Sequence, residues 1–133
     1  MKLLDQELAD RDGSEHSFYA QFNKVDQIKN VVVGYLENQT ICIGAFKPHS
    51  HQTVEIKRMF VRQQHRGKGF ANHVLNELEI WARELHFNEC ILETGKKQPE
   101  AIRFYQKSGY EPIPNYGQYI GVDNSVCMRK SLL

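Results

Sequence analysis

The chain has 133 residues, 41% hydrophobic and 25% charged, with a formal net charge of +1. That length suits one domain, 1–133, with a core of moderate size, and the near-neutral balance removes any general attraction to nucleic acid or to a membrane surface. The apolar runs fall far short of the ~20 residues a membrane-spanning helix needs, and Asp5, Glu7 and Asp10 interrupt the N-terminus before a signal segment can form, so a cytoplasmic protein is expected.

Residues 3–12, LLDQELADRD, place Leu3, Leu4 and Leu8 on one side of an expected helix that Gly13 stops. From Ser14 to Lys29, Phe18, Tyr19 and Phe22 suggest a short helix followed by a loop. Strands are expected at Asn30–Glu37 and Thr40–Lys47, with Asn38-Gln39 as the hairpin turn. After a turn at Pro48–Gln52, Thr53–Val61 reads as a central strand rich in β-branched and apolar residues. Its alternation slips, because Arg58 follows Val54 and Ile56 in phase while Met59-Phe60-Val61 is continuously apolar. A β-bulge is one cause of such a slip, and it would splay the strand from its neighbour.

Gln64-His65-Arg66-Gly67-Lys68-Gly69 comes next, then an amphipathic helix to about His86 with a stripe of Ala71, Val74, Leu75, Leu78, Ala82 and Leu85. A Glu79–Arg83 pair supports it at i,i+4. Glu89–Thr94 is a buried strand closed by Gly95, and strand–helix–strand order implies a parallel pair. Pro99 opens a second helix, with Ala101, Ile102 and Tyr105 on one face and Gly109 after its end. Strands at Tyr110–Ile113 and Ser125–Lys130 flank a loop at Pro114–Asn124.

Two glycines one residue apart let the backbone turn tightly, and the helix N-terminus after them offers unpaired N–H groups and the positive end of its dipole. Lys57, Arg58, Arg62, Arg66 and Lys68 surround the turn, and no Asp or Glu occurs between Glu55 and Glu77. These features suit a phosphate or pyrophosphate; the alternative is a strand-to-helix turn with a solvated basic rim. The Walker pattern is absent, and the dinucleotide pattern fails at Asn72. Cys42, Cys90 and Cys127 are scattered in strand-like runs and read as reduced core thiols. His49 and His51 read as surface loop, so no metal is expected.

Gln64, Gly67 and Gly69 fill [QR]-x-x-G-x-[GA], and this stretch resembles the acetyl-CoA loop of the GNAT superfamily of N-acetyltransferases. Residues 101–110, AIRFYQKSGY, resemble that family's second signature, A-x-x-F/Y-Y-x-x-x-G-F/Y, and the two together cover roughly residues 30–130. The resemblance implies an α/β (α+β) fold: a mixed, mostly antiparallel central sheet with a splayed parallel strand pair and flanking helices. Against that pattern, the family's first strand is expected to be missing or shortened, since a helix-like segment starts almost at Met1. Gln98 also stands where the family often has Asn.

As co-substrate the resemblance implies acetyl-CoA. Backbone groups of Met59, Phe60 and Val61 would hold its pantetheine and polarise the carbonyl. N–H groups of Arg66, Gly67, Lys68, Gly69, Phe70 and Ala71 would hold the pyrophosphate, and the Gln98 amide would bond the pantetheine or a backbone group. Tyr105 matches the family's thiolate-protonating tyrosine; its other reading is a core aromatic.

Glu55 is the candidate base, directly or through water, with a solvated carboxylate or a partner of Lys57 or Arg58 as the alternative. Glu93 is the runner-up and a candidate for binding the amine. The expected activity is acetyl transfer to a primary amine of a small molecule such as an amino acid. A catalytically weak CoA-binding regulatory or interaction module, or a protein or peptide N-acetyltransferase, is the alternative. A homodimer is left open.

Overall fold

The computed structural model describes residues 28–133. The helix expected at 3–12, nearly all of the segment at 14–29, and the question of a missing first strand lie outside the described residues.

Among the described residues, six strands form one mixed sheet: β1 (Asn30–Leu36), β2 (Gln39–Pro48), β3 (Thr53–Val61), β4 (Glu89–Gly95), β5 (Glu111–Ile113) and β6 (Ser125–Ser131). Two helices accompany them, α1 (Phe70–Glu84) and α2 (Pro99–Lys107). The order across the sheet is β1-β2-β3-β4-β6-β5, with β3 and β4 parallel and the other neighbours antiparallel. This is the mixed, mostly antiparallel architecture with flanking helices that the sequence implied.

The first hairpin turns one residue earlier than expected. Glu37 and Asn38 both take positive φ, 51° and 67°, while Gln39 already pairs with Leu36. Two successive left-handed residues are what a two-residue loop needs to match the twist of the strands it joins. β3 has the expected bounds, and the slip in its pattern is a bulge. Ile43 faces Phe60 and Ala45 faces Lys57, so Arg58 and Met59 together oppose Gly44. Arg58 takes φ 57° there. On its other side β3 pairs with β4 only from Thr53 to Glu55, opposite Glu89 to Ile91. Beyond Glu55 the parallel strands part.

The core lies between the sheet and α1. Val74, Leu75, Leu78 and Ala82 form the buried stripe and meet Phe46, Leu92 and Met128. Burying each such large apolar side chain is worth about 1.5–3 kcal/mol. Phe46 packs edge-on to Trp81 and Phe87, with centroids at 5.5 and 6.4 Å. Glycine is required at position 44, because a Cβ there would come within 2.5 Å of Val74 Cγ1 and 2.7 Å of Met59 Sδ. α1 and the bulge therefore settle directly onto the backbone of β2.

Two expectations for α1 are corrected. The helix ends at Glu84, so Leu85 sits on the cap and is 46% exposed. His86 then turns left-handed at φ 71°, and Phe87 reaches the core instead. The Glu79–Arg83 pair gives way to tertiary partners. Glu79 is buried and accepts from Tyr110 Oη and from Lys130 Nζ, each at 2.9 Å, while Arg83 Nε donates to the Leu132 carbonyl at 2.9 Å. A buried carboxylate needs both a charge and a hydrogen bond, and β6 supplies the charge through Lys130. All three cysteines are free and buried, and burial pushes the Cys90 thiol up to about 12.

The left-handed turn at Arg58 gives a direct test. Relief of αL strain in Arg58→Gly offsets the added chain entropy, so stability stays within about 1 kcal/mol of the parent. Arg58→Val places a β-branched residue in the same conformation and loses more than about 1 kcal/mol. Urea denaturation of the two variants measures both; equal stability of the two would show that the bulge does not depend on this residue's backbone.

Candidate active site

Two cavities open where β3 and β4 separate. The first, of about 510 Å³, lies between the splayed strands, with Glu55, Lys57 and Arg58 on one wall and Leu92, Glu93 and Thr94 on the other. The second, of about 810 Å³, runs from Met59, Phe60 and Val61 past Arg66, Gly67 and Gly69 to the start of α2. They meet at Met59, Gln98, Ala101 and Tyr105, which line both. The splay begun by the bulge makes the space, and α2, packed beside it, carries Tyr105 into the junction.

Tyr105 is 8% exposed, and its ring stands 5.7 Å from that of Tyr110 and 5.1 Å from that of Phe104. Burial raises its phenol to about 12, so the proton stays on oxygen at ordinary pH. Ala101 and Ile102, on the same helix face, are half-buried. At this position a packed core aromatic and a proton-bearing wall of both cavities are one and the same residue.

The glycine turn faces the second cavity. Gly67 and Gly69 take φ 77° and 86°, and a Cβ at either would meet nothing within 4 Å. Conformation, not crowding, therefore demands glycine there. Gly69 caps α1 and, as glycine, offers the helix's N-terminal donors no side-chain acceptor. Arg66 donates Nε to the Val61 carbonyl at 2.8 Å and lies 5.4 Å from the Phe60 ring centroid. That contact folds the turn back against the end of β3. Lys68 is exposed, and Phe70 and Ala71 begin the helix beside the cavity.

Glu55 is buried, at 4% exposure, and lines the first cavity. Tyr116 donates its hydroxyl to Oε2 at 2.6 Å, and Lys57 Nζ lies 3.2 Å from Oε1. Burial and the adjacent Glu55 carboxylate push the Tyr116 phenol far above its ordinary range, which keeps it the donor. Lys57 also reaches Tyr119 Oη at 3.5 Å. Of the sequence alternatives, a solvated Glu55 is ruled out by its burial, and the partnership with Lys57 is present. Glu93, half-buried, accepts from Ser125 Oγ at 2.8 Å on the opposite wall.

Sequence reasoning missed the roles of Tyr119 in the first cavity, of Tyr116 behind Glu55 and of His65 in the second cavity. Tyr116 bridges 61 residues to reach Glu55, and no local pattern encodes that; the one signal was the aromatic density of residues 114–120. His65 stands 6.1 Å from the Phe70 ring, and its Nδ1 is buried with no hydrogen-bond partner among the described residues. Among those residues no three His, Cys, Asp or Glu side chains gather as a metal site, and no helix is long and apolar enough to cross a membrane.

The family model for the acetyltransferase (GNAT) family matches residues 2–110. The chain is 35% identical over 78 residues to an IAA acetyltransferase from Azospirillum brasilense, a match covering 59% of this chain and 51% of that protein. It thus spans about half the length of that curated relative. A solved structure of a proposed acyl-CoA N-acyltransferase from Klebsiella pneumoniae superposes with a TM-score of 0.78 at 26% identity, covering 94% of each chain. A GNAT family acetyltransferase from Elizabethkingia anophelis, solved with acetyl-CoA bound, shares the fold at 17% identity and a TM-score of 0.66, over 76% of this chain and 74% of its own.

Tyr105 at this site and Cys90 in the core beneath the sheet both contribute to the alkaline stability. In the unfolded chain a tyrosine titrates near 10 and a cysteine near 9, whereas Tyr105 and Cys90 are each raised to about 12 in the fold. The native state therefore holds its protons longer than the unfolded one, so their contribution is complete below about pH 9 and is lost as pH rises towards 12. Chemical denaturation between pH 8 and 11 should show stability falling, and Tyr105→Phe should make the part of the fall above pH 10 shallower, with Tyr110 and Tyr116, also raised by burial, supplying the rest. A parent curve with no decline would contradict these shifts.

Proposed function

The chain belongs to the GNAT acetyltransferase family, and on that premise we propose that it transfers the acetyl group of acetyl-CoA to a primary amine of a small molecule. The observation that carries this reading is the position of Tyr105, a buried neutral phenol where a glycine-lined cavity meets a carboxylate-lined one. The residues of the second cavity fit acetyl-CoA. The open space over Gly67 and Gly69, and the N-terminus of α1 to which its glycine cap offers no side chain, are what a phosphate-bearing ligand needs. N–H groups of residues 66–71 would hold the pyrophosphate, and Met59, Phe60, Val61 and Gln98 the pantetheine arm.

Acetyl-CoA supplies a thioester whose carbon–sulfur bond is exchanged for a carbon–nitrogen bond. The protein must then take a proton from the amine and give one to the departing sulfur, which leaves with the electron pair. Glu55 is proposed for the first task, directly or through water, held in place by Tyr116 and Lys57. Tyr105 is proposed for the second, since its proton is bound firmly and its helix fixes its position. Glu93, on the far wall, is proposed to attract the incoming ammonium. Both cavities, the tyrosine and the carboxylate are all present, which favours an enzyme over a binding module that has lost its chemistry.

Release of CoA with a panel of amines tests the reading, and two variants test its parts. Asp tolerates the left-handed conformation and has room at position 67, so Gly67→Asp should fold while adding a negative charge to the turn. Its CoA affinity by calorimetry should drop by roughly tenfold or more; an unchanged affinity would remove the turn from the site. Tyr105→Phe keeps the ring and should change stability by less than about 1.5 kcal/mol. Loss of a general acid lowers kcat by about 10²–10⁴-fold with CoA binding near normal, and normal turnover would leave Tyr105 a core residue only.

A further inference from the structure

The first cavity carries four charged side chains, Glu55, Lys57, Arg58 and Glu93, whose formal charges cancel. They are not equivalent. Glu55 and Lys57 already neutralise one another at 3.2 Å. Arg58 and Glu93 have no ion-pair partner among the described residues. Arg58 stands at the bulge of β3, and Glu93 on β4 across the gap. The strands no longer pair there, and both residues line the cavity between them. The cavity thus has one guanidinium and one carboxylate still to be satisfied, on opposite walls. A polyamine or a lysine-rich segment would want a net negative pocket, and a phosphorylated amine a net positive one.

We infer that the acceptor is a small zwitterion, an amino acid or a close relative, whose carboxylate pairs with Arg58 and whose ammonium enters on Glu93. This deepens the proposed transferase reading and rests on it. A guanidinium is suited to a carboxylate because its donors form a planar fork that takes both oxygens. The bulge explains why the arginine is available: its left-handed backbone turns the residue out of the strand's alternation and keeps it from a cross-strand partner. Glu93 donates nothing and accepts from Ser125 through one oxygen, which leaves the other for an ammonium. Once bound, the ammonium must give its proton up, and Glu55 stands on the same wall as Arg58.

The test compares each amino acid with the amine it becomes on decarboxylation, leucine with isoamylamine and phenylalanine with phenethylamine, by CoA release, across the standard amino acids. The expected kcat/KM ratio favours the amino acid by at least about tenfold, because an analogue lacking the carboxylate leaves a polar group unpaired. Arg58→Gly, and Arg58→Gln as a second variant, should narrow that ratio to within about threefold, with thermal melting confirming that each is folded. Equal turnover of amine and amino acid by the parent overturns the inference while leaving the transferase reading intact. Acetylation confined to the N-termini or lysine side chains of peptides overturns the inference and the small-molecule part of the proposed function, and leaves acetyl transfer itself standing. No CoA release with any acceptor, by a protein that binds CoA, defeats the transferase reading and this inference with it.

Discussion

The bulge at Arg58 and Met59 is the constraint on which the rest of this structure depends. An extra residue in β3 forces two residues to oppose Gly44 alone, and the bent strand leaves its parallel neighbour after three paired positions. A regular β3 would continue down β4, and the backbone groups that now face the cavities would be consumed in the ladder. The bend is tolerated because Gly44 has no side chain, so Met59 and α1 close over it without a void. Strain at Arg58 and close packing at Gly44 are therefore two halves of one device.

What the splay opens, the C-terminal part of the chain then furnishes. Tyr105 comes from α2, whose face is set by Ala101 and Ile102, and it enters the gap from the side. Tyr116 and Tyr119 come from the strap before β6 and reach Glu55 and Lys57 over β3. Asn115 holds that strap in shape by donating to the carbonyls of Tyr119 and Val122, at 3.0 and 3.1 Å. A buried carboxylate such as Glu55 would be costly alone. With a phenol on one oxygen and an ammonium on the other it is a fixed acceptor, and the proposed base is held in place by these contacts. The same logic recurs at Glu79, where Tyr110 and Lys130 perform the matching service in the core. There the cluster ties α1 to β6.

Much of this was written locally. Strand and helix types followed from the two periods of hydrophobicity, and β3 was legible to its end residues. The glycine turn announced left-handed backbone, and the phase slip before Met59 announced the bulge, because both are consequences of adjacent side chains acting on their own backbone. Apart from the one-residue shift of the first hairpin, the errors fell where a distant group competed with a local one. The helix pattern ran on through Leu85, but the chain turned at His86 to place Phe87 against Phe46. Glu79 and Arg83 were spaced to pair, yet a buried carboxylate gains more from Lys130 and Tyr110 than from a neighbour on its own helix.

The sequence by itself determined the elements, their order, the anion-suited turn and the identity of the residues with chemistry to offer. It did so because propensity, capping and periodicity act over a few residues. Only the tertiary structure decided that the two cavities share Tyr105, that Glu55 is enclosed by Tyr116 and Lys57, and that Arg58 and Glu93 are left facing one another's cavity wall. Those facts depend on which strands lie side by side and where they separate. That is set by the packing of the whole sheet against α1, and no stretch of neighbouring residues contains it.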